Sequence, residues 1–339
     1  MNRILLVCVM LALSMLAPTA ASAADPQPIV ISVPGPRNLS YLPIDLIPKI
    51  GADKAEGVKV NLIHVGGGGV ALKNLTSGNA DFAVAGVPAA MSLKANGGDV
   101  TIVAAVDDAP LFVLMVRSGL KGQVKTIADL KGRVIGVNTG TKASKTTSQQ
   151  LAELLLESGG ISSDMVRIVP AGQSWIEQSS VLLSGAADAV MGDEPFASRL
   201  LDDGKVFFLA NLADPRTSGK IPGANFLHAA VETRGDILAK EPAKVEKMVR
   251  MVRASLQWIA RHTPEEVVAA LGVTDAEERT SLLRSLRKYP HAFSKDGKFS
   301  TRQLADTELF FRATNKGNAA AQGLRIEGMV DDRHAGRGK

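Results

Sequence analysis

The sequence predicts an α/β protein built as two similar lobes with a cleft between them. Three observations predict it. Short apolar strands alternate with helical patterns over the first two-thirds of the chain, at the spacing of βαβ units in a mainly parallel sheet. The pattern restarts near Arg133. Finally, Ser77-Gly78-Asn79-Ala80-Asp81 is echoed by Ser184-Gly185-Ala186-Ala187-Asp188, each stretch lying between a helix and an apolar strand.

The elements follow in order. Residues 29–33 read as a strand stopped by Pro34-Gly35-Pro36, and residues 58–65 as the next, followed by the glycines Gly66 to Gly69. A short amphipathic helix over 70–76 stops at Ser77-Gly78, where glycine permits a tight turn. A strand over 81–85, a helix over 89–95 and a strand over 100–105 complete the first set. The second set opens with a strand over 133–138 and the turn Thr139-Gly140-Thr141. A helix then runs to about Glu157, with Leu151, Leu154 and Leu155 on one stripe. Strands follow over 165–170, 188–192 and 206–209, with a helix over 175–183. The apolar segment 111–116 is expected to cross between lobes and 226–231 to return; strands buried on both faces need no alternation.

The last third is helical. Val245, Val249, Val252, Leu256 and Ile259 form one stripe. Thr263-Pro264-Glu265-Glu266 combines a cap, a first-turn proline and a capping-box glutamate, a logic repeated at 274–277 and 300–303. These helices are expected to brace the first lobe, and residues 331–339 to be loose.

The N-terminus reads as a secretory signal peptide. Arg3 precedes an apolar run over 4–17, and Ala21-Ser22-Ala23 supplies small residues for cleavage near Ala23/Ala24. The run is short of the roughly 20 residues a bilayer span requires. Cys8, the single cysteine, lies within it, so residues 24–339 have no thiol and no disulfide. The expected organisation is a signal peptide over 1–23, a first-lobe segment over 24–113 and a second lobe over 114–225. The first lobe then returns over 226–312, with an extension over 313–339.

Composition excludes some classes. With 45% hydrophobic and 22% charged residues the chain is that of an ordered globular protein. Its net charge of +5 is dispersed, and two tyrosines and two tryptophans give little to stack on bases, so nucleic acid is not an expected partner. The five histidines do not cluster as metal ligands. No Gly-x-Ser-x-Gly elbow, dinucleotide fingerprint or phosphate-binding lysine loop appears; the glycine run lacks the following Lys-Ser/Thr pair. No enzyme activity, cofactor or metal is expected.

The chain closely resembles the periplasmic solute-binding proteins of nitrate, sulfonate and taurine ABC transporters, including relatives that bind thiamine precursors. The resemblance rests on Leu39-Ser40-Tyr41-Leu42-Pro43, Gly66 to Gly69, residues 75–86, residues 127–137, residues 182–190 and Glu194-Pro195-Phe196-Ala197, taken in order and spacing. It implies a type II periplasmic-binding-protein fold, with a small organic solute (a sulfonate, a carboxylate, or an amine- or hydroxyl-bearing compound) held between the lobes. It also implies a monomer in the periplasm that passes the solute to an ABC permease with a separate ATPase. A periplasmic sensor signalling to a membrane receptor is the alternative. Fungal thiamine-precursor synthases share the related fold, but their cysteine-rich motif is missing here.

In open α/β sheets ligands approach the carboxyl ends of strands, where helix N-termini offer backbone donors. Four segments qualify: 36–41, 67–70, 139–144 and 173–175. They supply Arg37, Asn38, Ser40, Tyr41, Gly67, Gly69, Thr139, Thr141, Ser144, Gln173 and Trp175 as candidates, Trp175 as a stacking wall. The resemblance adds Gly86, Asp193 and Glu194. Many members of that family carry an aromatic residue immediately before Glu-Pro-Phe; here Asp193 stands there. A carboxylate in a cleft disfavours a bare anion and accepts from an amine, amide or hydroxyl, so nitrate or a simple sulfonate is a poor default. Asp107 and Asp108, near the crossing, point the same way.

Overall fold

The computed structural model describes residues 28–338. The signal-peptide segment 1–23, its cleavage point and Cys8 lie outside the described residues. Among the described residues there are ten strands: β1 (Ile29–Pro34), β2 (Val60–Val65), β3 (Phe82–Gly86), β4 (Thr101–Asp107), β5 (Phe112–Arg117), β6 (Val134–Val137), β7 (Arg167–Pro170), β8 (Ala189–Asp193), β9 (Val206–Asn211) and β10 (Ala229–Thr233). They make two five-stranded sheets of the same plan, ordered β2-β1-β3-β10-β4 and β7-β6-β8-β5-β9. In each, three parallel strands are followed by an antiparallel one that comes from the other lobe.

That exchange corrects the expected crossings. The apolar run at 111–116 is not the connector. From Phe112 onward it is a buried strand of the second sheet, so the division of lobes falls before Phe112 rather than after residue 113. The connector is the segment 108–111, whose Asp108 N–H donates to Ala292 O at 2.8 Å. On the return, Phe226 still packs in the second lobe's core, and β10 starts only at Ala229. Apolar composition identifies a buried strand but not the sheet that claims it.

The sequence echo marks equivalent corners of the two lobes. Gly78 and Gly185 end the helices Gly68–Thr76 and Trp175–Leu183 at φ +77° and +76°, in the left-handed region that favours glycine. Three residues later, Asp81 accepts from Val30 N at 2.8 Å and Asp188 from Val134 N at 3.1 Å, pinning β3 to β1 and β8 to β6. Each carboxylate has its own cation, Lys244 at 3.0 Å and Arg117 at 2.9 Å.

The helix Pro242–Ile259 buries Val245, Val249, Val252 and Leu256 against the first lobe, and Ser255 Oγ donates to Pro43 O at 2.6 Å. The later helices do not brace the first lobe alone. Ala276–Lys288 reaches the second lobe through Glu277 on Arg199 (2.5 Å), Asp202 on Arg284, and Ser281 Oγ donating to Pro195 O at 3.1 Å. From Thr301–Ala313, Phe310 enters the second core and stacks on Phe226 at 4.2 Å, while its neighbour Phe311 enters the first. A periodic stripe shows that a face is buried, not which lobe buries it.

Smaller expectations also change. Asp275, not Thr274, caps Ala276–Lys288 by accepting from Glu278 N at 2.7 Å. The helix after Thr139 begins only at Thr147, leaving 141–146 as loop. The polar tail is not loose: Asp331 N donates to Ile102 O at 2.9 Å, Phe299 N to Gly336 O at 3.2 Å, and Ala335 is buried. The tail thereby covers the open edge of β4, a pairing of backbone that side-chain polarity does not reveal.

Candidate functional site

The carboxyl ends of the parallel strands in both sheets meet between the lobes. The rims touch: Thr139 N donates to Gly66 O at 3.1 Å, Leu39 N to Glu194 O at 3.1 Å, Ser144 Oγ to Ala89 O at 2.9 Å and Gln150 Nε2 to Pro88 O at 3.0 Å. Any side chain at Gly67 would overlap the Thr139 backbone, and one at Gly69 would overlap Gly140. These glycines therefore serve close approach of one lobe to the other.

Inside the rim lies a buried polar ring contributed by both lobes. Asp193 ends β8. Its Oδ1 accepts from Gln173 Nε2 at 3.0 Å and from Asn138 Nδ2 at 3.4 Å, and its Oδ2 accepts from Gln178 Nε2 at 2.8 Å. From the first lobe, Asn38 faces this carboxyl but its Nδ2 completes no hydrogen bond. Asn38 Oδ1 instead accepts from Ser40 N at 3.0 Å, which shapes the turn that inserts Tyr41. Asp107 ends β4; its Oδ1 accepts from Ala109 N at 2.8 Å and its Oδ2 is unpartnered. His228, on the return connection, sits among rings: Phe112 edge-on at 4.9 Å, Tyr41 and Phe226 each at 6.3 Å.

Burial governs the protonation of this ring. It lifts the Asp193 carboxyl to about 6, with the amide donors pulling the other way. Burial likewise raises Asp107 and Glu232 well above the usual carboxylate range. Tyr41 is raised by burial and then by the Asp193 charge. His228 is lowered to about 3 by burial, so its imidazole is neutral at ordinary pH, with neither ring nitrogen partnered.

Of the residues singled out from sequence, Asn38, Ser40, Tyr41, Gln173 and Asp193 come together in the ring. Thr139, Thr141 and Ser144 form the rim loop, where Thr141 Oγ1 accepts from Ser144 N at 3.1 Å. Gly86 approaches the Thr147 side chain from the opposite lobe. The remaining three lie elsewhere. Arg37 pairs with Glu278 at 2.7 Å, and Trp175 stacks under the Arg199 guanidinium at 3.9 Å. Glu194 is buried outside the ring, accepting from Ser198 N at 3.0 Å, Ser198 Oγ at 2.8 Å and Tyr289 OH at 3.1 Å. Sequence reasoning missed Asn138, Thr147, Gln178, His228 and Glu232. Asn138 follows a strand end and was within reach of the strand-end rule; Glu232 sits inside an otherwise apolar strand and carries no such signal. Among the described residues no group of three His, Cys, Asp or Glu side chains is placed to hold a metal ion.

Solved structures share this architecture. A protein of Bordetella bronchiseptica RB50 aligns with a TM-score of 0.81 at 20% identity, covering 92% of this chain and 96% of its own. The alkanesulfonate-binding protein SsuA of Xanthomonas axonopodis pv. citri, bound to MOPS, aligns at 0.71 with 17% identity over 91% of this chain and 100% of its own. A desulfurization enzyme, DSZB, aligns at 0.58 with 16% identity over 91% and 97%. At these identities the likeness shows the fold, the two-lobed type II periplasmic-binding fold. No curated protein sequence matches the chain. The family model described as "NMT1/THI5 like" matches residues 54–267, well over half of the sequence, and the chain belongs to that family.

Proposed function

We propose that this protein is the solute-binding component of an ABC importer, capturing a small organic molecule outside the cytoplasm and presenting it to a membrane permease. The observation that carries the reading is the buried polar ring, built by both lobes from strand ends and left with unpartnered groups. A solute seated there contacts Asn38, Tyr41 and Asp107 on one side and Gln173, Gln178 and Asp193 on the other. Such a solute favours the closed arrangement of the lobes over an open one. The closed surface is then what a permease reads, and its ATPase supplies the energy. The alkanesulfonate-binding relative supports a binding role, and the signal-peptide pattern at residues 1–23 supports export.

The fold alone does not decide against catalysis, since a desulfurization enzyme has it. The chemistry of the ring favours binding. Its imidazole, His228, is surrounded by rings and hydrogen-bonds no hydroxyl, so no nucleophile is paired with a base there. Thermal unfolding of residues 24–339 with panels of small solutes tests the reading. A bound solute raises the unfolding temperature by mass action, worth about 2.7 kcal/mol at a hundred times its Kd. Recovery of the solute unchanged after prolonged incubation is expected; its conversion to a product would refute a binding-only role.

A further inference from the structure

The ring between the lobes is unbalanced in charge. Asp107 is 0% exposed and Asp193 is 2% exposed. Asp193 acts on both Tyr41 and Asp107, so the two carboxyls share one electrostatic neighbourhood. Among the described residues, no Lys or Arg nitrogen lies within 4.0 Å of any of their carboxyl oxygens. The adjacent Glu194 shows the contrast: it is equally buried but fully hydrogen-bonded, with Lys288 at 3.9 Å.

The hydrogen bonding is unbalanced in the same sense. Asp107 Oδ2, Gln173 Oε1 and Gln178 Oε1 are buried and unpartnered; the two amide carbonyl oxygens are acceptors, and Asp107 Oδ2 is one once its carboxyl is ionised. Against them stands one dedicated donor, Asn38 Nδ2; the hydroxyls of Ser40, Tyr41 and Thr147 and the His228 imidazole serve either way. Asp193 causes part of this. It draws the amide hydrogens of Gln173 and Gln178 to itself, which leaves their carbonyl oxygens unpartnered, that of Gln178 lying against Gly192 of β8. A sulfonate, nitrate or carboxylate would bring further acceptors to a place already short of donors. A nitrogen bearing several hydrogens and a positive charge supplies what is missing, through charge-assisted hydrogen bonds in a low-dielectric setting. The rings of Tyr41 and Phe112 beside His228 add faces that attract a cation.

Granted the receptor reading above, we propose that the solute is an organic cation whose ammonium or amidinium-type nitrogen is held between Asp107 and Asp193, with a hydrogen shared to the carbonyl oxygen of Gln173. Cation binding needs ionised carboxylates. Asp107, Asp193 and Glu232, and Asp108 beside Asp107, are all biased by burial toward the protonated form. Tyr41 and His228 stay neutral between pH 5 and 8 and take no part. Binding therefore displaces protons and tightens as pH rises.

The test is calorimetric titration at pH 5 and pH 7.5 with three charge classes. These are amines, amidines and guanidines (benzamidine, agmatine, choline), neutral amides and polyols, and alkanesulfonates and carboxylates. The expected result is that the tightest binder is a cation, that its affinity rises at least tenfold from pH 5 to pH 7.5, and that its neutral isostere binds at least tenfold more weakly. Asp193→Asn and Asp107→Asn, each checked for folding by circular dichroism, should independently cost tenfold or more in affinity for that cation. Tightest binding by a sulfonate or carboxylate, or affinity for the cation that falls as pH rises, would overturn the charge assignment and leave the receptor reading standing. Binding by no member of any class counts against the receptor reading and takes this inference with it.

Discussion

Asp193 is a carboxyl made expensive to ionise by its own burial, and that has a consequence for stability. Its carboxyl is lifted to about 6 in the folded protein against 3.8 ordinarily, so the folded state holds the proton more tightly than the unfolded chain. Its stabilising contribution is complete below about pH 3.8 and is lost as pH rises through 6. His228, lowered to about 3, acts with the opposite sign, losing stability as pH falls below 6.5. The two are separated by comparing wild type with Asp193→Asn, which keeps His228. Without solute, the variant should gain stability relative to wild type between pH 4 and 6.5, by an amount on the order of 3 kcal/mol for a two-unit shift. Urea unfolding across that range measures it; a difference that stays constant with pH would show that Asp193 ionises as freely in the folded state as in the unfolded one. Asp193 stood out in sequence because it occupies the place of an aromatic residue before Glu-Pro-Phe. Asn38, Tyr41 and Gln173 were legible from strand ends. Glu232 and His228 were not, because burial of a polar group depends on what the other lobe brings to it. Trp175 and Arg37 lie at the right loop ends, yet their side chains turn to Arg199 and Glu278, a choice of rotamer that spacing does not encode.

At the scale of elements, the two lobes are pinned by the same device. Asp81 and Asp188 each follow a helix-ending glycine and accept a backbone N–H from the first strand of their own sheet. Asp81→Ala and Asp188→Ala should each cost about 1.5–3 kcal/mol, the range for hydrogen bonds to charged groups, while leaving solute affinity within twofold. Chemical denaturation with parallel titration checks both. Losses under 0.5 kcal/mol would make the echo a coincidence of sequence without structural weight. Most strands were legible from apolar runs between turn residues, and the helix over 175–183 was legible to the residue. The ownership of β5 and β10 was not, since each is apolar on both faces and pairs with strands distant in sequence. The same holds for Phe310 and Phe311, neighbours in one helix that enter different cores.

For the whole molecule, the central claim is that two lobes close around a non-covalently held solute. Glycine-permitted contacts at Gly67 and Gly69 make the rim tight, and helix Ala276–Lys288 ties the lobes on the far side. The chain offers a clean way to follow closure, because residues 24–339 contain no cysteine and paired labels can be introduced without background. Lys73 and Ser180 are exposed on the helices Gly68–Thr76 and Trp175–Leu183, one in each lobe. The most direct measurement is the electron–electron spin distance between nitroxides at Lys73→Cys and Ser180→Cys, in protein stripped of solute by denaturation and refolding. A broad or two-peaked distribution that collapses to a single shorter distance on adding a stabilising solute is the predicted result. One short distance, the same with and without solute, would contradict it.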